Sequence, residues 1–324
     1  MRQTAFLLLL LISLPATAAD TVDRQALAAE LAKSHGLETD AVAAILADAK
    51  YQQSIIDAIT RPAEGKPWKA YRPIFMTDKR ITDGRAFLAE HKAALTAIET
   101  ATGVPAEIIV SIIGVETNYG KITGSYRVID ALYTLGAHYP PRQTFFRSEL
   151  GHVMKLAQAE QLDLTTLKGS YAGAMGWGQF MPSSYLAYAK DGDGDGRRDL
   201  FTSLPDIFAS VANYFVAHGW KAGQPVAVPA TLAAGSTEFA PASMEANLSL
   251  SELASKGYRP TTDTVTDLKA TVINLEGAEG REYWLGFGNF YVISRYNRSP
   301  LYSLAVYQLS QAIADPTAGP VAAK

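Results

Sequence analysis

The sequence lacks cysteine altogether: none of its 324 residues is one. A disulfide therefore cannot stabilise the fold, and no cysteine is present to carry a lipid anchor. The formal net charge of -3 provides no broad basic surface, so nucleic acid is not an expected partner. Histidine is scarce, with five scattered residues, and no cluster has the spacing of a zinc or iron site. Apolar runs stay short of the roughly 20 residues that a membrane-spanning helix needs.

The N-terminal segment has the order of a secretory signal peptide. One positive charge at Arg2 precedes an apolar run over residues 5–14, and Pro15 and four small residues then lead to Asp20. This order predicts cleavage after residue 19 and an exported, soluble mature chain without a membrane anchor. The remaining 305 residues (324 minus 19) exceed the size at which a single core stops growing, so more than one subdomain is expected.

Apolar residues recur at helical spacing through most of the chain, and glycine and proline divide the pattern into segments. Residues 23–60 are predicted as an N-terminal helical layer that Gly36 interrupts. The other segments predicted as helices are residues 83–101, 105–119, 128–135, 143–160, 204–218 and 299–314. From residue 222 the composition shifts to Pro, Ala, Gly, Ser and Thr, and β-like segments follow at residues 270–275, 283–285 and 290–293. The predicted fold class is therefore α+β, predominantly α, with a small sheet.

One carboxylate falls on the apolar face of a predicted helix. Residues 105–120, PAEIIVSIIGVETNYG, begin with proline and end with glycine, a pattern typical of a helix of about four turns. Ile109, Ile112 and Ile113 lie within about 60° of Glu116 around this helix. Burial against isoleucines can raise the pKa of a glutamate from about 4.3 to about 6, a range suited to a general acid. The alternative is that Glu116 turns into solvent or bonds the local backbone.

A second segment combines glycine with aromatic residues. In residues 168–185, KGSYAGAMGWGQFMPSSY, four glycines alternate with large side chains, and glycine lets the backbone approach a ligand closely. Aromatic faces can stack on sugar rings, while Ser170, Gln179 and Ser183 can hydrogen-bond hydroxyls and amides. This mixture is typical of a saccharide groove. The alternative is a structural loop whose aromatic residues belong to the core.

An acidic loop, DGDGDGRRD, follows this segment. Its alternating carboxylates are Asp191, Asp193 and Asp195. Glycine at the sixth position completes the opening of an EF-hand calcium loop. Thr202 occupies the twelfth position, where a bidentate glutamate is usual, and Asp206 in the next predicted helix is the candidate replacement. The alternative is a solvated aspartate–glycine turn.

Four motifs together resemble the membrane-bound lytic transglycosylase B family. They are GVETNYG at residues 114–120, GSYAGAMGWGQFMPSSY at 169–185, ANYF at 212–215 and RYNRSPLY at 295–302. The resemblance implies a goose-lysozyme-like catalytic core with a helical N-terminal domain and a small β-containing domain. The corresponding parts are a signal peptide at 1–19, a helical domain at 20–103, a core at 104–222, a β-containing region at 223–289 and a C-terminal segment at 290–318 that packs back on the core.

The same resemblance implies cleavage of the bond between N-acetylmuramic acid (MurNAc) and N-acetylglucosamine (GlcNAc) in peptidoglycan, in the periplasm. Glu116 would be the catalytic residue, and Ser170 and Gln179 would hold the muramoyl sugar. Tyr71, Phe180, Tyr214, Tyr296 and Tyr302 would line the groove, with Asn297 and Arg142 as polar contacts. The acidic loop would hold a structural Ca²⁺, with Asp206 closing the site and Arg197 contributing its backbone carbonyl. Glycan strands are the expected partner, and cell-wall synthases or other wall enzymes are candidate protein partners.

A single candidate carboxylate favours a transglycosylase over a hydrolase. Hydrolytic glycosidases use two carboxyl groups, and no second acid accompanies Glu116 in a motif. In the family chemistry, the same glutamate acts as acid and then as base while the sugar's own C6 hydroxyl closes a 1,6-anhydro ring, so no cofactor is needed for catalysis. Two alternatives stay open at this point: a hydrolytic muramidase and a non-catalytic peptidoglycan-binding protein.

Overall fold

The computed structural model describes residues 22–61, 65–262, 268–315 and residue 317. The described residues form fourteen α-helices, α1 to α14: Arg24–His35, Thr39–Asp48, Gln53–Ile59, Trp68–Phe75, Asp78–Glu90, Lys92–Thr102, Ala106–Thr117, Val128–His138, Gln143–Glu160, Pro182–Tyr188, Leu204–Ala217, Leu250–Ser255, Gly288–Ser294 and Pro300–Ala314. Seven strands, β1 to β7, are Tyr126–Arg127, Lys168–Gly169, Ala227–Leu232, Leu248–Ser249, Tyr258–Pro260, Lys269–Glu276 and Arg281–Gly286. The predicted signal peptide lies outside the described residues, so it and the periplasmic location stay predictions.

Helix α7 is the central element of the main hydrophobic core. Its residues are apolar around the whole circumference, and such a helix must be covered on every side. Helices α5, α6, α11 and α14 pack against it. Apart from Glu107 and Glu116, every residue of α7 is buried. Asn118 caps the end of the helix: it adopts the left-handed conformation with φ 51° and donates its backbone N–H to Gly114 O.

The N-terminal helices α1 to α3 pack against α8 and α9 and against one another. Helix α1 contacts α2 and α9, and α3 contacts α8. Asp130 at the start of α8 is 4% exposed and accepts hydrogen bonds from Lys50 N (2.9 Å) and Gln52 Nε2 (3.0 Å). The chain between α2 and α3 is therefore tied to α8 by a buried carboxylate whose charge is stabilised by hydrogen bonds.

A five-stranded antiparallel sheet forms a smaller unit in the order β4-β6-β7-β3-β5. One face has its own apolar cluster, which includes Leu253, Tyr258 and Leu285. Ile273 and Leu275 of β6 point to the main core instead, as the alternation of side chains along a strand requires. The domain boundaries given by the resemblance stay predictions.

Three predicted elements differ from the structure. Residues 23–60, predicted as a helical layer with one break at Gly36, contain three helices, α1, α2 and α3. Residues 290–293, predicted as β-like, lie in α13, because a short apolar run has no period that separates a strand from a buried helix. Phe290, Val292 and Ile293 are all buried there. The predicted helix 83–101 is two helices, α5 and α6, which meet at His91.

No single helix in the described part of the chain is long and apolar enough to cross a membrane. Helices α6 and α7 pass the length and composition criteria only as a pair, and the chain bends by 113° between them.

Candidate active site

Glu116 lies in the last turn of α7, with its side chain partly buried. The hydroxyl of Tyr302, from α14, donates a hydrogen bond to Glu116 Oε1 at 2.5 Å. Tyr302 is 3% exposed, and burial, followed by the charge of Glu116, raises the pKa of its hydroxyl well above the ordinary value. The tyrosine therefore stays protonated, and it can hold the carboxylate in one orientation as a hydrogen-bond donor.

Three aromatic residues named from the motifs form one cluster. The ring centroids of Phe180 and Tyr214 are 5.9 Å apart, those of Phe180 and Tyr296 are 5.8 Å apart, and those of Tyr214 and Tyr296 are 4.8 Å apart. Tyr214 donates its hydroxyl to Arg295 O and Tyr296 donates to Gly178 O, both at 2.6 Å. These bonds fix the two tyrosine rings against the main chain, so the aromatic wall is pre-formed.

Burial is the main cause of the raised pKa values of the tyrosines in this cluster, and the charges of neighbouring groups add to it. Burial raises the pKa of Tyr214 to about 12. Burial also raises the pKa of Tyr296 well above its ordinary value, with further contributions from the charge of Glu116 and from Tyr214. Tyr71, 1% exposed in α4, contributes in the same way to the raised pKa of Tyr302. The predicted groove aromatics are thus electrostatic neighbours of Glu116 or of each other.

Ser170 and Gln179 lie in the glycine-rich segment beside this wall. Ser170 follows the short pair of antiparallel strands β1 and β2, and its Oγ accepts the backbone N–H groups of Ala172 (3.3 Å) and Ala174 (3.1 Å). Gln179 has a φ of 50°, and its Nε2 donates to Thr123 O (3.1 Å) and Gly176 O (2.9 Å). In this arrangement the Ser170 hydroxyl can donate a hydrogen bond to a ligand, and the Gln179 side-chain carbonyl can accept one.

Three other polar residues have different surroundings. Ser183, expected to bind sugar hydroxyls, donates its hydroxyl to Glu149 Oε1 at 2.6 Å, and Glu149 is only 3% exposed. Arg142 is exposed on a 3-10 turn, where its guanidinium carbon lies 4.3 Å from the centroid of the Phe145 ring. Asn297 is partly buried next to Tyr296, and its main-chain carbonyl accepts the backbone N–H of Ser299 at 2.7 Å. The contacts described for Arg142 therefore do not join it to the Glu116 cluster.

Sequence reasoning overlooked Thr117, which follows Glu116 directly. Its hydroxyl bonds the glycine-rich segment through Trp177 O at 2.9 Å. The two residues are 60 positions apart, and the only signal in the sequence is a hydroxyl side chain beside the candidate acid. The hydrogen bond depends on the packing of the GVETNYG motif against the glycine-rich segment, which the sequence does not specify.

The acidic loop brings three carboxylates together. One oxygen each from Asp191, Asp193 and Asp206 lies within 4.8 Å of the other two. Asp206 is 1% exposed and accepts the N–H groups of Gly192 (2.7 Å) and Asp199 (2.6 Å), so it is held firmly behind the loop. Asp195, also expected as a ligand, lies outside this group of three and accepts the N–H of Arg197 at 2.8 Å. Arg197 itself is exposed.

Comparison with known proteins gives consistent matches. Residues 20–311 match the family model described as the transglycosylase SLT domain. Membrane-bound lytic murein transglycosylase B of Escherichia coli (strain K12) is 40% identical over 295 residues, which cover 88% of this chain and 81% of that protein.

Solved structures are similar over nearly the whole described chain. Soluble lytic transglycosylase SltB1 from Pseudomonas aeruginosa is 47% identical with a TM-score of 0.81, covering 90% of this chain and 98% of that one. Lytic transglycosylase Slt35 of Escherichia coli, in complex with calcium, is 40% identical with a TM-score of 0.81, covering 90% and 92%. SltB3 from Pseudomonas aeruginosa, in complex with NAG-anhNAM-pentapeptide, is 31% identical with a TM-score of 0.78, covering 90% and 78%.

These matches confirm the predicted family, the predominantly helical α+β fold with a lysozyme-like core, and the enzyme class. Matches to enzymes that cleave murein over about nine-tenths of the chain also favour an enzyme over a binding protein without activity. The chain belongs to the SLT-type lytic murein transglycosylases and is a peptidoglycan lytic transglycosylase.

Proposed function

We propose that this enzyme cleaves the MurNAc-β-1,4-GlcNAc bond with Glu116 as its single catalytic carboxylate and leaves 1,6-anhydro-MurNAc ends. The observation that carries the proposal is the position of Glu116, partly exposed at the end of a buried helix and held by Tyr302 at 2.5 Å. The charge of Glu116 also contributes to the raised pKa of Tyr296, one residue of the aromatic wall, and this supports a position of the carboxylate near that wall. A carboxyl group so placed can reach a sugar that stacks on that wall.

One glutamate can perform both proton transfers. Protonated Glu116 gives its proton to the glycosidic oxygen, the bond from this oxygen to C1 of MurNAc breaks, and GlcNAc leaves with a free hydroxyl. The Glu116 carboxylate then takes the proton of the MurNAc C6 hydroxyl as that oxygen bonds to C1. The glutamate is regenerated and no water is consumed. Because the attacking hydroxyl belongs to the same sugar, proximity contributes part of the rate enhancement.

Ser170 and Gln179 are proposed to hold the sugar in the pose that this ring closure needs. Ser170 can donate its hydroxyl, and Gln179 can accept through its side-chain carbonyl, for example from an acetamide N–H. Hydrogen bonds to the backbone already fix both side chains. Glycan binding therefore costs little further side-chain entropy. The structure of SltB3 with NAG-anhNAM-pentapeptide supports an anhydro product of this kind.

The chemical nature of the product tests the mechanism. Mass spectrometry of sacculi digested with the purified enzyme should detect MurNAc ends lighter by one water than reducing ends, because the C6 hydroxyl replaces water as the attacking group. A hydrolytic muramidase used as a parallel digestion gives the reducing ends for comparison. Reducing MurNAc as the main product would refute the intramolecular step.

We also propose that the acidic loop holds a structural Ca²⁺. Oxygen ligands from Asp191, Asp193 and Asp206 are close enough to share one ion, and Ca²⁺ prefers six to eight oxygen ligands. Asp195 and the backbone carbonyl of Arg197 are proposed as further ligands, and the Slt35 structure in complex with calcium supports the assignment. The ion would lower the repulsion between the carboxylates and take no part in proton transfer.

Calcium should therefore raise the melting temperature. An ion that binds only the folded chain stabilises it by about 2.7 kcal/mol at a hundredfold excess over Kd. Asp193→Ala should cancel the gain, whereas Asp163→Ala should keep it, because Asp163 is an exposed aspartate in a turn bonded to Thr165 and Thr166. Differential scanning calorimetry at millimolar CaCl₂ measures the shift. An equal response of the two variants would refute the site.

A further inference from the structure

Thr117 is the last residue of α7 and directly follows Glu116. Its side chain is 1% exposed, and Oγ1 lies 2.9 Å from Trp177 O and 3.1 Å from Ile113 O. The same oxygen accepts the backbone N–H of Gly120 at 3.0 Å. One hydroxyl therefore joins three places: the last turn of the catalytic helix, the turn that follows it, and the glycine-rich segment.

The peptide unit on the other side of this bond is held firmly as well. Trp177 N–H donates to Leu200 O at 3.0 Å, and the indole lies directly above Gly120. The neighbouring carbonyls of Gly176 and Gly178 accept hydrogen bonds from Gln179 Nε2 and from the Tyr296 hydroxyl, respectively. Residues 176–179 are thus held by several hydrogen bonds, and one of them, at Trp177 O, joins the segment to α7 through Thr117.

We propose that Thr117 is a positioning residue, whose hydroxyl sets the distance between Glu116 and two proposed sugar contacts, Gln179 and Phe180. Only a group that both donates and accepts can satisfy Trp177 O and Gly120 N together. This inference rests on the proposed role of Glu116 as acid and base. Because a displacement of about 1 Å at a catalytic group can cost about a hundredfold in rate, a loosened contact should slow the chemical step.

A purely structural role would give a different result. Hydroxyls near helix ends often bond the carbonyl four residues before, as Thr117 does with Ile113. If this bond were the whole function, its removal would lower stability alone. Ser111 provides the matched control, because it is fully buried on the same helix and its hydroxyl donates to Ile108 O at 2.9 Å, its one hydrogen bond among the residues that the structure describes.

The test compares Thr117→Val, Thr117→Ser and Ser111→Ala at a temperature where all are folded. Thr117→Val keeps the volume and loses the hydroxyl; we expect kcat on purified sacculi to fall at least about tenfold while the apparent KM changes less than about twofold. Thr117→Ser should stay within about twofold of the wild-type kcat, and Ser111→Ala should lose stability only. A kcat of Thr117→Val within about twofold of Ser111→Ala, or a Thr117→Ser variant as slow as Thr117→Val, would overturn the proposal.

Glu116→Gln in the same assay separates this inference from the one on which it rests. If Glu116→Gln is inactive and Thr117→Val has normal kcat, the positioning role is wrong and the acid–base role stands. If Glu116→Gln stays active, the acid–base role fails first, and Thr117 has no catalytic carboxylate to position.

Discussion

Replacing Glu116 by glutamine should lower glycan cleavage at least about a hundredfold while the fold stays intact. General acid–base catalysis contributes roughly 10²- to 10⁴-fold, and here both proton transfers are assigned to one group. Glutamine has nearly the same shape and keeps a carbonyl oxygen that can accept the Tyr302 hydroxyl, whose present bond to Glu116 measures 2.5 Å. Glycan binding should therefore survive while proton transfer is lost.

Glu107→Gln is the matched control for this variant. Glu107 stands in the first turn of the same helix, is also partly buried, and has its pKa raised mainly by burial. It lies two and a half turns from Glu116 (nine residues at 3.6 per turn). Replacing its carboxylate by an amide should therefore leave activity near the wild-type level. Release of muropeptides from sacculi, sedimentation with sacculi and the melting temperature measure rate, binding and fold. A Glu116→Gln variant that retained more than a few per cent of the wild-type rate would contradict the assignment.

Local patterns in the sequence were sufficient for most of the fold. The predicted helix 143–160 has the same limits as α9, Gln143–Glu160, and in the structure the helix is terminated by Gln161 in the left-handed conformation, with a φ of 55°. The predicted strand 270–275 lies within β6, since alternate apolar side chains face two different clusters. The strand predicted at 290–293 was wrong because burial of a short segment on all sides leaves no period to detect.

The candidate site was predictable as a set of motifs but not as a set of contacts. The motifs indicated Glu116 and Tyr302 separately, while the hydrogen bond between them spans 186 positions. Such a contact depends on how α14 packs on α7, which no local pattern specifies. Ser183 illustrates the converse: its type suggests sugar binding, but its hydroxyl is bonded to the buried Glu149. Residue type predicted which groups could act, and tertiary packing decided which of them lie near Glu116 and which bond elsewhere.

Gly124→Ala should lower activity about a hundredfold through the position of Ser170. Gly124 has a φ of 101°, and a Cβ there would lie 2.0 Å from the carbonyl carbon and oxygen of Gly169 and 2.5 Å from Ser170 N. These atoms belong to the backbone, so no side-chain rotation can relieve the overlap. Ordinary contact begins at 3.4 Å, so the segment carrying Ser170 must move by more than about 1 Å, enough to disrupt a catalytic geometry.

Gly235→Ala separates this displacement from the cost of the backbone conformation alone. Gly235 has a φ of 82° with open space around it, so alanine there carries the strain of a left-handed conformation without a clash. Both variants should melt at lower temperature than the wild type, and only Gly124→Ala should lose activity when each is assayed on sacculi below its own transition. A selective loss would show that the contact of residue 124 with Gly169 keeps the sugar-holding residues in place: Ser170, and Gln179 through its bond to Thr123 O. Equal activity of the two variants would mean that the groove tolerates this displacement, and that Ser170 does not need a fixed position for cleavage.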